Sequence, residues 1–130
     1  MLVLDENLPA GQRELLRERR IRFRVIGVDI APSGTKDENL IPFLHRLPNP
    51  TFFSLDRNFY RRDWIHSYYC LVWLDVRGRE AADFVRRFLK HSMFDTQDKR
   101  SGTIIRVHAE SIHFWQIGER TIQTARWRHE

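Results

Sequence analysis

Asp5, Asp56 and Asp75 each follow a short apolar run, so each stands where a predicted β-strand ends. A further acidic pair, Asp37 and Glu38, opens a predicted helix after the second strand. In open α/β sheets ligands gather outside the carboxyl ends of the strands, where neighbouring connections diverge. Carboxylates brought together there repel and raise one another's pKa unless a cation compensates them. Mg²⁺ or Mn²⁺ takes oxygen ligands of this kind, keeps bound water and accepts phosphate oxygens, so the chemistry implied is hydrolysis of a phosphodiester.

Each acid also has a plainer reading, because an aspartate after a strand serves equally as a turn former or helix cap. Asp5, Glu6 and Asn7 crowd three oxygen-bearing side chains onto the exit of the first strand. Asp56 stands on position alone. Glu38 lies three residues after Thr35, the spacing of a capping box, which leaves Asp37 as the better ligand of that pair. Asp75 precedes Arg77, Gly78 and Arg79 and on the plainer reading serves that turn, while Asp63 reads as a solvated loop charge.

Other constellations carry less. His108 and His113 lie opposite each other if Glu110 and Ser111 form a two-residue turn, as a metal pair or, preferably, a plain cross-strand pair. Trp127, between Arg126 and Arg128, is read either as a base-stacking side chain or as part of a frayed end. No phosphate-binding glycine loop, nucleophile elbow or HExxH run is present.

The elements that must position the acids alternate. Residues 1–4 form an apolar strand, and Pro9 opens an amphipathic helix carrying Leu15 and Leu16. Residues 22–28 are rich in β-branched and aromatic types, and Pro32, Ser33 and Gly34 mark a loop. A helix with Leu40, Ile41 and Leu44 follows, closed by Pro48 and Pro50. Residues 51–56 and 70–76 read as central strands, and 80–91 as a helix with Phe84, Val85 and Phe88 on one face. The segments around 103–109 and 112–118 suggest a late antiparallel hairpin. Alternating strands and helices imply a mainly parallel sheet with right-handed crossovers. The expectation is an α/β fold with a three-layer α/β/α arrangement and a C-terminal β-hairpin, one domain over 1–125 and a short basic tail over 126–130.

Composition narrows the class. An apolar share of 42% in 130 residues is enough for a core without metal or disulfide staples. The single cysteine, Cys70, excludes an internal disulfide and reads as a buried hydrophobe. No apolar run is long enough to span a bilayer and no signal-peptide layout is present, so the expectation is a cytoplasmic protein with no membrane partner. The 22 basic against 17 acidic residues, mostly arginine, fit a phosphate-bearing partner and equally a GC-rich genome.

The stretch LDENLP at residues 4–9 resembles the opening of a family of small PIN-like domains related to the VapC toxins. Two further stretches resemble the same family in order and spacing: GTKDENLI at 34–41, a glycine loop leading into an acidic pair, and SLDRNF at 54–59. The likeness covers about the first half of the chain. It implies a PIN-like fold and a Mg²⁺- or Mn²⁺-dependent endoribonuclease, with Asp5, Asp37 and Asp56 as catalytic metal ligands; Asp75, by its strand-end position, is a fourth metal candidate. Glu6, Asn7, Glu38 and Asn58 are then secondary candidates, and Arg57, Arg61 and Arg62 are candidates for holding RNA. It also implies a toxin with a cognate antitoxin, and a homodimer in which Trp115 is a candidate contact. Asn58 departs from the pattern, since the family usually shows a second aspartate there, and the site loses one negative charge. That departure supports the alternative of a catalytically degenerate PIN-like module binding RNA or a protein partner.

Overall fold

In the computed structural model, residues 1–32 and 37–127 are described, Asp37 by its backbone alone. A seven-stranded mixed sheet organises the chain, in the order β2-β1-β3-β4-β5-β6-β7. Its strands are β1 (Leu2–Leu4), β2 (Arg24–Val25), β3 (Thr51–Ser54), β4 (Cys70–Asp75), β5 (Thr103–His108), β6 (Ser111–Gln116) and β7 (Gln123–Arg126). The first five run parallel and the last two antiparallel.

The helices lie on both faces. Pro9 precedes α1 (Ala10–Glu18), where its fixed φ and missing N–H cost nothing, and Leu16 is buried against one face. On that face α3 (Ala81–Lys90) also packs, burying Ala81, Ala82, Phe84, Val85 and Phe88 with Val72, Leu74, Ile105 and Phe114. On the opposite face, α2 (Asp37–Leu44) sets Leu40 and Leu44 against Val3 and Phe52. Beside it the 57–69 connection lays Phe59 and Tyr69 over Leu71 and Ile104. The parallel strands are thus covered on both sides, which is why β3 and β4 read as nearly unbroken apolar runs. A four-residue helix, α4 (Gln97–Arg100), precedes β5.

Several boundaries differ from those the sequence suggests. The second strand shrinks to two residues because the chain turns at once: Asp29 Oδ2 accepts from the Val25 amide at 2.9 Å, and Gly27, at φ 84°, donates to the Ile30 carbonyl. The hairpin turns at 109–110, one residue earlier than expected, and pairs Val107 with Ile112 and Arg106 with His113. His108 and His113 therefore do not face each other. His113 instead lies between Ser111 Oγ, 2.9 Å from Nε2, and Thr124 Oγ1, 3.3 Å from Nδ1.

The basic tail also begins later than expected. Arg126 closes β7, and Trp127, 6% exposed, packs on Phe84 and His91 while its Nε1 donates to the His108 carbonyl at 2.8 Å. The indole is core, not a free base-stacking group. Residues 128–130 and the Thr35 half of the expected capping box lie outside the described residues. Among the described residues no helix is long and apolar enough to cross a membrane.

Candidate active site at the carboxyl edge

The chain leaves β1 for β2 on one side and returns to β3 on the other, with α1 and α2 on opposite faces of the sheet. The connections therefore diverge between β1 and β3, the switch point at which open α/β sheets leave a crevice at the carboxyl ends of their strands. Asp5 and Ser54 stand at that point.

Their geometry follows from the strand register. Leu4 pairs with Phe53, and the Asp5 amide continues the ladder by donating to the Phe53 carbonyl at 2.8 Å. Asp5 and Ser54 are then neighbours on one face. Ser54 is fully buried, and its hydroxyl donates to Asp5 Oδ2 at 2.6 Å, the short length of a charge-assisted bond. Ser54 Oγ in turn accepts from Asn7 Nδ2 at 3.1 Å and from the Asp56 amide at 3.0 Å. Asn7 closes the ring, since its Oδ1 accepts from the Leu55 amide at 3.2 Å. A single buried hydroxyl thus ties the Asp5 side chain, Asn7 and the backbone of Asp56 together.

Asp56 is not the last residue of the strand. It caps the 3₁₀ turn Arg57–Phe59, where Oδ1 accepts from the Asn58 amide at 2.9 Å. One oxygen of the carboxylate is fixed by that bond, which orients the group. Phe59, buried at the end of the turn, stacks edge-on against Phe52 and pins the turn to the sheet. Glu6, Asn7 and Asn58 are exposed beside the two aspartates.

Asp75 ends β4, the next strand over, but its charge is already compensated. Arg106 Nε and Nη2 both donate to Asp75 Oδ2, at 2.9 and 2.7 Å. The expected fourth metal ligand is an ion-paired carboxylate. Asp37 opens α2, and its side chain lies outside the described residues; Glu38 is exposed on the same turn. Among the described residues no three His, Cys, Asp or Glu side chains gather into a metal-holding group.

Of the three arginines expected to hold RNA, Arg57 is exposed next to Asp56. Arg61 pairs with Asp63 at 2.8 Å, which holds that carboxyl below its ordinary range, and lies 4.3 Å from the Trp64 ring centre. Arg62 donates to the Glu119 carbonyl at 3.1 Å and lies over Trp115. These last two brace the 57–69 connection.

Three residues that the acid pattern did not single out shape this edge: Ser54, Trp73 and Arg106. Ser54 had a sequence signal, a hydroxyl directly after two phenylalanines at the end of a buried strand. Arg106 had none, because its partner lies 31 residues away and the pairing depends on register. The donor set at Asp5, Asn7 and Asp56 is all oxygen, which suits a hard divalent ion rather than a thiophilic one. Comparison of the chain with protein-family models, with curated proteins and with solved structures finds no match.

Proposed function

We propose that the chain is a PIN-like, Mg²⁺- or Mn²⁺-dependent endoribonuclease, with Asp5 and Asp56 as metal ligands and Asp37 completing the site. The observation that carries this reading is the Ser54 hub, which holds Asp5 and the Asp56 backbone together at the β1/β3 switch point. A bound divalent ion would supply Lewis acidity and an activated water there. Ser54 fixes the Asp5 carboxylate, the Asn58 amide fixes that of Asp56, and Arg57 offers a guanidinium for an adjacent phosphate. The reading extends to a cytoplasmic toxin whose cognate antitoxin covers the acidic edge.

A second reading, a catalytically degenerate module of the same fold that binds RNA or a protein partner, draws on two features. Residue 58 is an amide, and Asp75 is neutralised by Arg106, so the edge carries less free negative charge than four carboxylates would.

Calorimetric titration of Mn²⁺ into the wild type and into Asp56→Asn separates the two. Binding that is lost in the variant, together with chelator-sensitive RNA cleavage lost in Asp5→Asn, is the expected result. No Mn²⁺ binding by the wild type at about 1 mM, the weak end for carboxylate sites, would overturn the nuclease reading and leave the binding module.

A further inference from the structure

The register that joins Asp5 to Ser54 continues across the sheet. Ser54 pairs with Trp73, Trp73 with Arg106, Arg106 with His113, and His113 with Thr124. Paired residues point to the same face, so these side chains form one row running from the acidic switch point to the far edge of the sheet. At roughly 4.8 Å per strand, the row from Ser54 to Thr124 spans roughly 19 Å.

The row is built of planar groups held in place. The Arg106 guanidinium lies over the Trp73 ring, 5.2 Å from its centre, and is clamped from the side by Asp75. Tyr60 packs against Trp73 with ring centres 5.7 Å apart. The His113 imidazole is oriented by the hydroxyls of Ser111 and Thr124. The 57–69 connection covers Leu71, Ile104 and Trp115 one position below, yet the side chains of Arg106 and Asp75 remain 36% and 32% exposed and Thr124 is exposed. One position nearer the carboxyl edge, Arg126 is exposed on the same face, paired with Ser111.

We infer that this row is a base-binding platform for a single strand of RNA whose backbone passes the Asp5–Asp56 edge, and the inference rests on the nuclease reading for that polarity. Unpaired bases stack on aromatic rings and on guanidinium planes, and a fixed guanidinium loses little entropy when a base settles on it. Trp73 and Arg106 form the first such surface beside the acids and His113 the second. Arg57 and Arg126, at the two ends of the row, supply the positive charge that a phosphodiester backbone requires. A duplex keeps its base faces stacked inside and cannot use such a platform.

The test separates platform from nuclease. Binding of a fluorescein-labelled oligouridylate of about eight nucleotides, a length within one single-strand groove, is measured by anisotropy in chelator, with tryptophan fluorescence as a second readout. The wild type should bind the single strand in preference to a duplex of the same length, with quenched tryptophan emission. Trp73→Ala, Arg106→Gln and His113→Ala should each bind at least about fivefold more weakly, the loss of one stacked base. Trp73→Phe should retain most affinity and lose the quench. A circular dichroism melt identifies any variant that fails to fold, and His113→Ala, a partly exposed position, then decides.

Wild-type affinity in all three variants would overturn the platform, as would no oligonucleotide binding by the wild type. Loss of binding in Arg22→Gln with Arg24→Gln, on the arginine-lined concavity at the opposite end of the sheet, while Trp73→Ala binds normally, would place the strand there instead. Platform binding without metal-dependent cleavage would sink the nuclease reading alone.

Discussion

Replacing Ser54 with alanine is the sharpest probe of how the acidic edge is held. The substitution leaves shape almost unchanged in a strand whose neighbours Phe52 and Phe53 are fully buried, so its effect is confined to one oxygen. That oxygen makes a charge-assisted bond to Asp5 at 2.6 Å and accepts from Asn7 and from the Asp56 amide. Asn7 is exposed and finds water when the hydroxyl is gone; the Asp5 bond and the Asp56 amide bond are the real losses. With hydrogen bonds to charged groups at about 1.5–3 kcal/mol and neutral ones near 1, and some replacement by water, the expected destabilisation is about 2–3 kcal/mol. For a chain of this length that lowers the melting temperature by roughly 6–12 °C. Urea unfolding of Ser54→Ala, Asp5→Ala and the double variant measures both the loss and its origin. The two losses should be strongly non-additive, with a coupling above about 1 kcal/mol, because they remove the same bond. On the nuclease reading, Mn²⁺ affinity of Ser54→Ala should also fall by about 10- to 100-fold, the usual effect of removing a group that orients a ligand. A stability loss below about 0.5 kcal/mol, or additive single losses, would refute the hub.

Two further predictions concern the core. Trp127→Ala should cost about 3–5 kcal/mol in urea unfolding, as for other buried aromatic truncations, because the indole fills space beside Phe84 and His91; a neutral outcome would restore it to a frayed tail. Cys70 is buried and its thiol is pushed up to about 12 by desolvation, so iodoacetamide should leave the native protein unmodified at pH 8 to about 9, where a free thiol reacts. Because the folded pKa lies above the ordinary 9.0, stability is fully present below pH 9 and declines as pH rises towards about 12; Tyr69, also raised to about 12 by burial, adds to the same alkaline loss from pH 10 upward. Cys70→Ala should flatten the first part of that decline in a stability profile.

The central strands were legible in the sequence because burial on both faces leaves no polar alternation to confuse them, and α3 because Phe84, Val85 and Phe88 recur at helical spacing. What escaped was set by partners distant in the chain. β7 carries only Ala125 towards the core, with Thr124 and Arg126 exposed, so neither its apolar content nor its length announces a strand. Trp127 sits among basic residues that look like a tail, yet the antiparallel return of β7 brings it under α3. The hairpin turn was misplaced by one residue, and moving the turn by one shifts every cross-strand partner by two positions while leaving each side chain on its face. That single shift moved His113 away from His108 and opposite Arg106. Of the acids, the closeness of Asp5 and Asp56 at the carboxyl edge was legible from their positions after β1 and β3. The state of Asp75 was not, since nothing local to it indicates an arginine on the neighbouring strand.

The Asp75–Arg106 pair also bears on how the edge divides its labour. As a half-exposed ion pair it contributes little to stability, on the order of 0–1 kcal/mol, so its main physical effect is on geometry and field. It compensates one carboxylate on the strand beside Asp56 and sets a guanidinium over the Trp73 ring. Moving along the row from Asp5, the character of the side chains changes from anionic oxygen at β1 and β3 to planar cation and imidazole at β5 and β6. A cation suits the first end and the bases of a polyanion the second. Arg106 is held at Asp75 by two hydrogen bonds, which fixes where its charge sits on the row. Asp75→Asn therefore releases Arg106 without removing any group proposed to touch the metal, and the consequence reaches both ends at once: weaker stacking at Trp73 and a cation freed to compete for the acidic edge.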